Sequence, residues 1–329
     1  MKYRILLIVL PFYVIISFIV SHYFLFVLGT LEGLVYGLVY IGIAIWITVE
    51  LFIFGIHKTE SHFKDISHQY IDVENIEIVF NDGIKSRGVY YRLSSETIET
   101  SDGKRYPEPR PTIIFFHGLM GRKESSDKWL IPLTHMGYLT FSFDQIVRKG
   151  QKGLFQTLND TSKVLDIVCN TSDVKIGSIC CIGISLGGIM VLTKCYVDNR
   201  VAMVIGMSTI HDFAVFCDVK NQFLSLGWYV KRQMSKNAIQ ENTLKTTPHY
   251  YLKNDPEFNK NRVFLIHGKK DSFFPPSISF YLNKKQANIP DKNTLLLDCG
   301  HGLDGQETLI LGTIIKWLNE NDAMRIITK

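Results

Sequence analysis

Apolar residues along this chain form runs of two different lengths. Two long runs, residues 5–28 and 34–56, stand at the amino-terminal end. Each exceeds the roughly 20 residues that a helix needs to cross a bilayer. Several later runs have only four or five residues, which is typical of strands buried on both faces of a parallel sheet. The pattern therefore predicts two transmembrane helices followed by an α/β domain.

A short turn, residues 29–33, separates the long runs, so residues 1–56 are predicted to form a helical hairpin. One long span with a re-entrant part is the alternative. A cleaved signal peptide fits less well, because no small-residue cleavage site follows the first run. Basic residues flank the two runs but do not occur in the turn between them. The positive-inside rule then places both ends of the hairpin, and the domain that follows, in the cytoplasm, with membrane lipid as an expected partner.

Residues 76–329 alternate between strand and helix patterns, and residues 57–75 form a polar connector that is predicted to be helical up to residue 72. Residues 76–80 and 89–92 flank an Asn-Asp-Gly turn, which indicates an antiparallel hairpin that leads the sheet. Helices are predicted at 127–136, 154–170, 186–197, 277–285 and 307–319. The aromatic residues of segment 208–261 predict a cap over the site, with a surface loop as the alternative.

Three predicted strands end in residues suited to nucleophilic catalysis. Residues 179–182 lead into Gly183-Ile184-Ser185-Leu186-Gly187, residues 263–266 into a turn with Asp271, and residues 294–297 into a turn with His301. A Gly-x-Ser-x-Gly turn between strand and helix exposes a serine in a strained conformation that neighbouring side chains would crowd. Because open parallel sheets place their sites at the carboxyl ends of the strands, the three side chains are expected to converge.

A fourth strand end, His117-Gly118-Leu119-Met120-Gly121 after residues 112–116, completes the set of motifs. With serine, aspartate and histidine in that order, the chain resembles the α/β-hydrolase superfamily, in particular its branch of esterases, acyl-transferring enzymes and serine peptidases. The resemblance covers residues 76–319 and implies a mostly parallel central sheet with helices on both faces. The chain departs from many relatives at residues 144–150, where an Asp-x-Arg-Gly-x-Gly stretch is not preserved.

The resemblance implies a role for each of these residues. Ser185 would be the nucleophile, His301 the general base and Asp271 the acid that orients the base. The backbone amides of Leu119 and Leu186 would form the oxyanion hole. The chemistry needs these groups because a serine hydroxyl attacks when an imidazole takes its proton. A carboxylate holds the imidazole in one tautomer, and the oxyanion that forms needs hydrogen-bond donors.

Other polar residues at the strand ends are alternatives for these roles. His117 and His267 are alternative bases, although a structural role is the preferred interpretation for both. Asp298 is an alternative acid, but it lies on the same loop as His301. Cys299 is interpreted either as a reactive thiol or as a small core residue.

Composition narrows the function further. The net charge of +5 is mild and no nucleic-acid motif accompanies it, so no nucleic-acid partner is expected. The six cysteines have neither disulfide-framework nor C-x-x-C spacing, which fits a reducing compartment, and neither metal nor cofactor is expected. We predict a membrane-anchored serine hydrolase that cleaves a carboxylic ester, including lipid-like acyl substrates. The alternatives are an acylaminoacyl- or dipeptidyl-type peptidase, a thioesterase, or a non-catalytic binding module.

Overall fold

The computed structural model describes residues 70–94, 109–118, 121–145, 158, 160–213, 215 and 246–326, together with Tyr23 and Gly42. The predicted hairpin apart from those two positions, most of the connector, Leu119 and the middle of the predicted cap lie outside these residues. Within the described part of the chain, no helix is long and apolar enough to span a membrane. The chain divides into two compact units, Met1–Asp65 and Ile66–Lys329.

Among the described residues of the second unit, eight strands form one sheet. Its strands are β1 (Ile71–Val79), β2 (Lys85–Leu93), β3 (Arg110–Phe116), β4 (Leu139–Phe143), β5 (Val174–Ile184), β6 (Val201–Met207), β7 (Val263–Gly268) and β8 (Thr294–Leu297). Their order across the sheet is β1-β2-β4-β3-β5-β6-β7-β8. β2 pairs antiparallel with β1 and with β4, and the remaining pairs are parallel. The prediction of a mostly parallel sheet is confirmed, and the carboxyl ends of β3 to β8 lie at one edge.

The leading hairpin is longer than predicted. β1 begins at Ile71 rather than at residue 76, and it pairs with β2 as far as Val79 opposite Lys85. The prediction of a helical connector is therefore wrong for Ile71 and Asp72. Most side chains of β1 are exposed because it is an edge strand. Its apolar residues alternate at Ile71 and Val73 and again at Ile76 and Ile78. The alternation changes phase between the two parts, so Ile71 and Ile78 are buried on opposite faces of the sheet.

Helices cover both faces of the sheet. They are α1 (Asp127–His135), α2 (Thr161–Cys169), α3 (Leu186–Met190, continued by a π-helical turn Val191–Cys195), α4 (Pro248–Tyr251), α5 (Pro256–Asn259), α6 (Phe280–Gln286) and α7 (Glu307–Glu320). Short 3₁₀ turns lie at Lys123–Ser126, Pro276–Ile278 and Asp291–Asn293. The helices predicted at 127–136 and 307–319 agree with α1 and α7 within one residue.

The helix predicted at residues 277–285 is split. Ser279 separates the 3₁₀ turn from α6, and its φ of −132° is not helical. Its hydroxyl donates to the carbonyl oxygens of Phe274 at 2.9 Å and Pro275 at 2.7 Å. A serine that satisfies nearby carbonyls in this way competes with helix formation, which explains the break.

The strand residues alternate between two buried layers. In β3, Ile114 and Phe116 pack in one cluster with α2, α3 and α6, whereas Ile113 and Phe115 pack on the opposite face with α1 and α7. All residues of β3 are buried, which explains its continuous apolar sequence. A sheet enclosed on both faces thus positions the turns at its carboxyl edge.

Candidate active site

The turn between β5 and α3 holds Ser185 in an unusual backbone conformation. Its φ of 56° and ψ of −116° lie outside the helical and extended regions, at a cost of about 1–3 kcal/mol. A Cβ on Gly183 would lie 2.3 Å from the carbonyl oxygen of Gly187, and a Cβ on Gly187 would lie 1.8 Å from that of Phe116. The turn therefore requires glycine at both positions of the motif.

Hydrogen bonds tie the backbone of Ser185 to its surroundings. Its amide donates to the carbonyl oxygen of Met207 at 2.9 Å, at the end of β6, and its carbonyl oxygen accepts the amide of Ile189 at 3.3 Å. The hydroxyl of Thr209 donates to the same carbonyl oxygen at 3.1 Å. These bonds anchor the backbone of a turn whose conformation depends on the close packing at Gly183 and Gly187. Sequence reasoning assigned no role to Thr209.

His301 links Ser185 to Asp271. Its Nε2 lies 3.0 Å from the Oγ of Ser185, and its Nδ1 lies 2.8 Å from the Oδ2 of Asp271. Because an ionised carboxylate only accepts hydrogen bonds, Nδ1 carries a proton and Nε2 can accept the serine hydroxyl. The side chain of His301 is 22% exposed, whereas that of Asp271 has no exposed surface. The three residues are open to a substrate on the serine side and closed to water on the acid side.

Four N–H groups surround the carboxylate of Asp271. Its Oδ1 accepts the backbone amides of Phe273 and Phe274, both at 2.9 Å. Its Oδ2 accepts His301 and lies 3.3 Å from the Nε2 of His267. Burial alone raises the pKa of this carboxyl, but hydrogen bonds from His267 and His301 outweigh burial and lower the pKa to about 2. Asp271 is therefore charged at neutral pH despite being buried.

Two aromatic rings contact the imidazole of His301. The ring centroids of Phe273 and Phe274 each lie 5.1 Å from that of His301, with interplanar angles of 39° and 81°. Both phenylalanines belong to the turn whose amides bind Asp271. One segment therefore holds both the carboxylate and the imidazole.

His117 holds the turn that follows β3. Its Nε2 accepts the backbone amide of Gln145 at 3.0 Å, and its Nδ1 donates to the carbonyl oxygen of Gly118 at 2.7 Å. Both ring nitrogens are thus occupied by backbone groups, as the structural interpretation of this residue expected. Gly118 lies beside Ser185, since a Cβ there would be 3.4 Å from the Cβ of Ser185.

Of the two predicted oxyanion donors, Leu186 lies within the described part of the chain. Leu119 follows Gly118 and lies outside the described residues. Leu186 is the first residue of α3, and amides in the first turn of a helix have no partner within it. Its amide is thus in position to serve a substrate next to Ser185. Both roles stay predictions.

The residues that were alternatives for the predicted catalytic roles lie in surroundings that do not suit those roles. Asp298 is 70% exposed and pairs with Lys270 at 3.0 Å. Burial raises the pKa of the Cys299 thiol, which disfavours the reactive thiolate. His267 bonds to the carbonyl oxygen of Phe274 at 2.8 Å, as expected, but its approach to Asp271 was not indicated by the sequence.

The converging groups define what this edge of the sheet can do chemically. Across the described ranges, no group of three or more His, Cys, Asp or Glu side chains is placed to hold a metal ion. A hydroxyl that is hydrogen-bonded to an imidazole, which is in turn hydrogen-bonded to a buried carboxylate, is instead suited to attack on a carbonyl carbon, because the imidazole can take the hydroxyl proton.

A sequence model of the prolyl oligopeptidase family matches residues 141–305. The match covers half of the chain and includes Ser185, Asp271 and His301. The chain belongs to the prolyl oligopeptidase family. For this family member, the predictions of an α/β-hydrolase fold and of a serine hydrolase are confirmed. This assignment covers both enzymes that cleave esters and enzymes that cleave peptides. A comparison with curated proteins gave no match.

Solved structures of several hydrolases resemble this prolyl oligopeptidase family member. An acetyl xylan esterase from Paenibacillus sp. R4 has a TM-score of 0.56 at 17% identity, over 81% of this chain and 93% of that chain. Est1E from Butyrivibrio proteoclasticus has a TM-score of 0.54 at 19% identity, over 76% and 99% of the two chains. Pyrococcus horikoshii acylaminoacyl peptidase has a TM-score of 0.57 at 16% identity, over 79% of this chain but only 43% of that chain. At such identities the likeness is one of fold.

Proposed function

We propose that this protein is a membrane-anchored serine hydrolase that cleaves carboxylic esters through Ser185, His301 and Asp271. The observation that carries the proposal is the continuous pair of hydrogen bonds from the Ser185 hydroxyl to His301 and from His301 to Asp271, at 3.0 and 2.8 Å. A non-catalytic binding module has no need of this arrangement or of a strained serine.

The proposed reaction has two stages. Ser185 Oγ attacks the ester carbonyl carbon while His301 Nε2 takes the hydroxyl proton, and the charge of Asp271 stabilises the imidazolium. The amides of Leu186 and Leu119 are the proposed donors to the oxyanion. His301 then gives its proton to the leaving alcohol, which leaves an acyl group on Ser185. A water activated by His301 releases the acid and restores the serine.

An ester is proposed as the first substrate class because of the extent of the structural matches. The two esterases are covered over 93% and 99% of their chains, and the acylaminoacyl peptidase over 43%. The matched part of this chain thus corresponds to nearly a whole esterase. A serine peptidase is the second candidate, because the family model and the peptidase structure match the same domain.

The membrane anchor is the part of the proposal that depends on sequence alone. The two long apolar runs within residues 1–56 support a hairpin in the bilayer, and the basic residues at its ends support a cytoplasmic catalytic domain. We expect the protein to resist extraction by alkaline carbonate. A tag at the carboxyl terminus should be digested by protease only when the cytoplasmic face is accessible. Release into the carbonate supernatant would contradict the anchor without affecting the enzyme assignment.

Hydrolysis of esters with graded acyl length, beside acyl-peptide substrates, tests the substrate class. We expect turnover of esters and covalent labelling of the wild type by a fluorophosphonate, both lost in Ser185→Ala. Preferential turnover of acyl-peptides would replace the ester assignment by the peptidase. Equal turnover by wild type and folded Ser185→Ala would remove the serine mechanism.

A further inference from the structure

One buried histidine beside the proposed triad has a contact that the mechanism does not use. His267 lies in β7 and is 2% exposed. Its Nε2 is 2.8 Å from the carbonyl oxygen of Phe274. Because a carbonyl oxygen only accepts, this nitrogen carries a proton. The same N–H faces the Oδ2 of Asp271 at 3.3 Å, so one donor lies between two acceptors of the acid turn.

The two acceptors depend on this donor to different degrees. The carbonyl oxygen of Phe274 also accepts the hydroxyl of Ser279 at 2.9 Å, so it keeps a partner if His267 is replaced. Among the described residues, the Oδ2 of Asp271 would keep His301 as its hydrogen-bond partner. A buried carboxylate oxygen that loses a donor is left with unsatisfied lone pairs. Replacing His267 therefore removes a needed hydrogen bond mainly from the Asp271 carboxylate, which faces His301.

The imidazole of His267 is itself held in place. The Oγ of Ser279 lies 3.4 Å from its Nε2, and the ring centroid of Phe280 lies 5.9 Å from its own. The hydroxyl of Ser279 donates to the carbonyl oxygens of Phe274 and Pro275, so it holds one of the two acceptors of the His267 N–H in place. A rigid donor on β7, a strand paired on both sides, is suited to setting the orientation of a carboxylate in a loop.

We propose that His267 is a positioning residue, whose Nε2–H fixes the Asp271 carboxylate and the Phe274 carbonyl so that Oδ2 faces the Nδ1 of His301. The inference rests on the proposed serine mechanism and deepens it. His267 contacts neither the substrate nor the reacting atoms in this scheme. Its effect reaches Ser185 through Asp271 and His301.

Two substitutions separate the donor from the volume of the side chain. His267→Leu fills similar space without a donor, and His267→Gln can place an amide N–H near the position of Nε2. We expect His267→Leu to lower kcat for ester hydrolysis about 10- to 100-fold, because small displacements of a catalytic group have effects of this size. KM should stay within about twofold, since substrate contacts are unchanged, and His267→Gln should recover most of the loss.

A control residue that bonds to the other end of β7, away from the site, measures the effect of a lost buried hydrogen bond alone. The side-chain amide of Asn293 is buried and donates to the carbonyl oxygens of Lys260 and Val263. Asn293→Leu should lower the melting temperature while leaving kcat unchanged at temperatures where the protein is folded. If His267→Leu behaves in the same way, the positioning role is wrong.

Coupling to Asp271 gives the decisive readout. In an Asp271→Asn background, His267→Leu should add less than about twofold to the loss of kcat, because the group it positions is gone. If the losses of kcat from the two substitutions multiply, the inference is overturned and the proposed function stays intact. The same holds if folded His267→Leu is fully active while Ser185→Ala is inactive. Activity that survives in Ser185→Ala would overturn the function itself. If His267→Leu does not fold, two other variants decide the question. An active His267→Gln together with an impaired His267→Asn supports the inference, and equal activity of these two variants contradicts it.

Discussion

Two turns at the same edge of the sheet are held in place by different physical means. The Ser185 turn is fixed by the lack of space, since Cβ atoms at Gly183 and Gly187 would collide with backbone atoms. The Asp271 turn is fixed by attraction, since donors from its own backbone and from two histidines converge on one carboxylate. Steric exclusion sets a backbone conformation regardless of pH, whereas converging hydrogen bonds require an ionised group. The two turns should therefore respond differently to mutation and to acid.

The largest expected effect comes from removing Ser185, the proposed nucleophile. Ser185→Ala should lower kcat roughly 10⁴- to 10⁶-fold and abolish fluorophosphonate labelling. His301→Ala should lose a similar amount, and the double variant little more, because serine and base act as one unit. Initial rates with an activated ester, together with gel fluorescence of the labelled protein, measure both effects. A folded Ser185→Ala with near-normal rates would remove Ser185 from the mechanism.

The second effect tests the turn that is held by attraction. Asp271→Asn should lower kcat about 10⁴-fold, because an amide can donate to the imidazole and favour the wrong tautomer. Asp298→Asn is the matched control, since this carboxylate is exposed and pairs with Lys270. It should leave kcat within about twofold. A mild Asp271→Asn with a severe Asp298→Asn would show that the acid is misassigned.

The third effect tests the turn that is held by exclusion. Gly187→Ala should lower kcat more than about 100-fold and destabilise the fold by more than about 3 kcal/mol, because its Cβ would lie 1.8 Å from the carbonyl oxygen of Phe116. Gly312→Ala in α7 is the control, as nothing lies within 4 Å of its added Cβ. It should be neutral or stabilise by about 0.5–1 kcal/mol. Equal melting temperatures for the two variants would contradict the steric account.

The difference between the turns also explains what could be predicted from the sequence. Because the Ser185 turn has no space for a Cβ atom at two positions, it requires glycines at a fixed spacing. Five residues are therefore enough to predict this turn. The convergence of Asp271 and His301 follows from two further strand ends in a parallel sheet. The contact between His267 and Asp271 depends on side-chain rotamers and on the path of the loop between them, and no residue pattern records it.

The same reasoning applies to the fold. Residues 112–116 form a continuous apolar run because both faces of β3 are covered, and this strand was predicted nearly in full. The start of β1 at Ile71 was missed because backbone pairing holds a largely exposed edge strand. The break at Ser279 was missed because it depends on carbonyl groups of the preceding turn. The apolar pattern predicts buried elements well and elements held by polar contacts poorly.

A fourth prediction uses low pH to distinguish the Asp271 turn, which needs an ionised carboxylate, from the Ser185 turn. The pKa of Asp271 is lowered to about 2 by its hydrogen bonds, against about 3.9 in an unfolded chain. A carboxyl with a depressed pKa stabilises the fold above the unfolded value, and the contribution is lost as pH falls from about 4 towards 2. Between pH 5 and pH 2, the wild type in detergent micelles should lose about 2 kcal/mol relative to Asp271→Asn. Denaturant titrations at several pH values measure the difference, and parallel curves for the two proteins would contradict it.

The smallest effect concerns Thr209, whose side chain adds a hydrogen bond to the backbone of the sterically fixed turn. Thr209→Val removes its bond to the carbonyl oxygen of Ser185, which keeps the amide of Ile189 at 3.3 Å. We expect a loss of about 1 kcal/mol in the free energy of unfolding and less than about a threefold change in kcat. Thr161→Val at the start of α2 deletes a comparable buried hydroxyl, which donates to the carbonyl oxygen of Leu158 at 2.8 Å, and should match it in stability. A Thr209→Val loss of kcat as large as that of Gly187→Ala would mean that hydrogen bonding, rather than exclusion, holds the nucleophile in place.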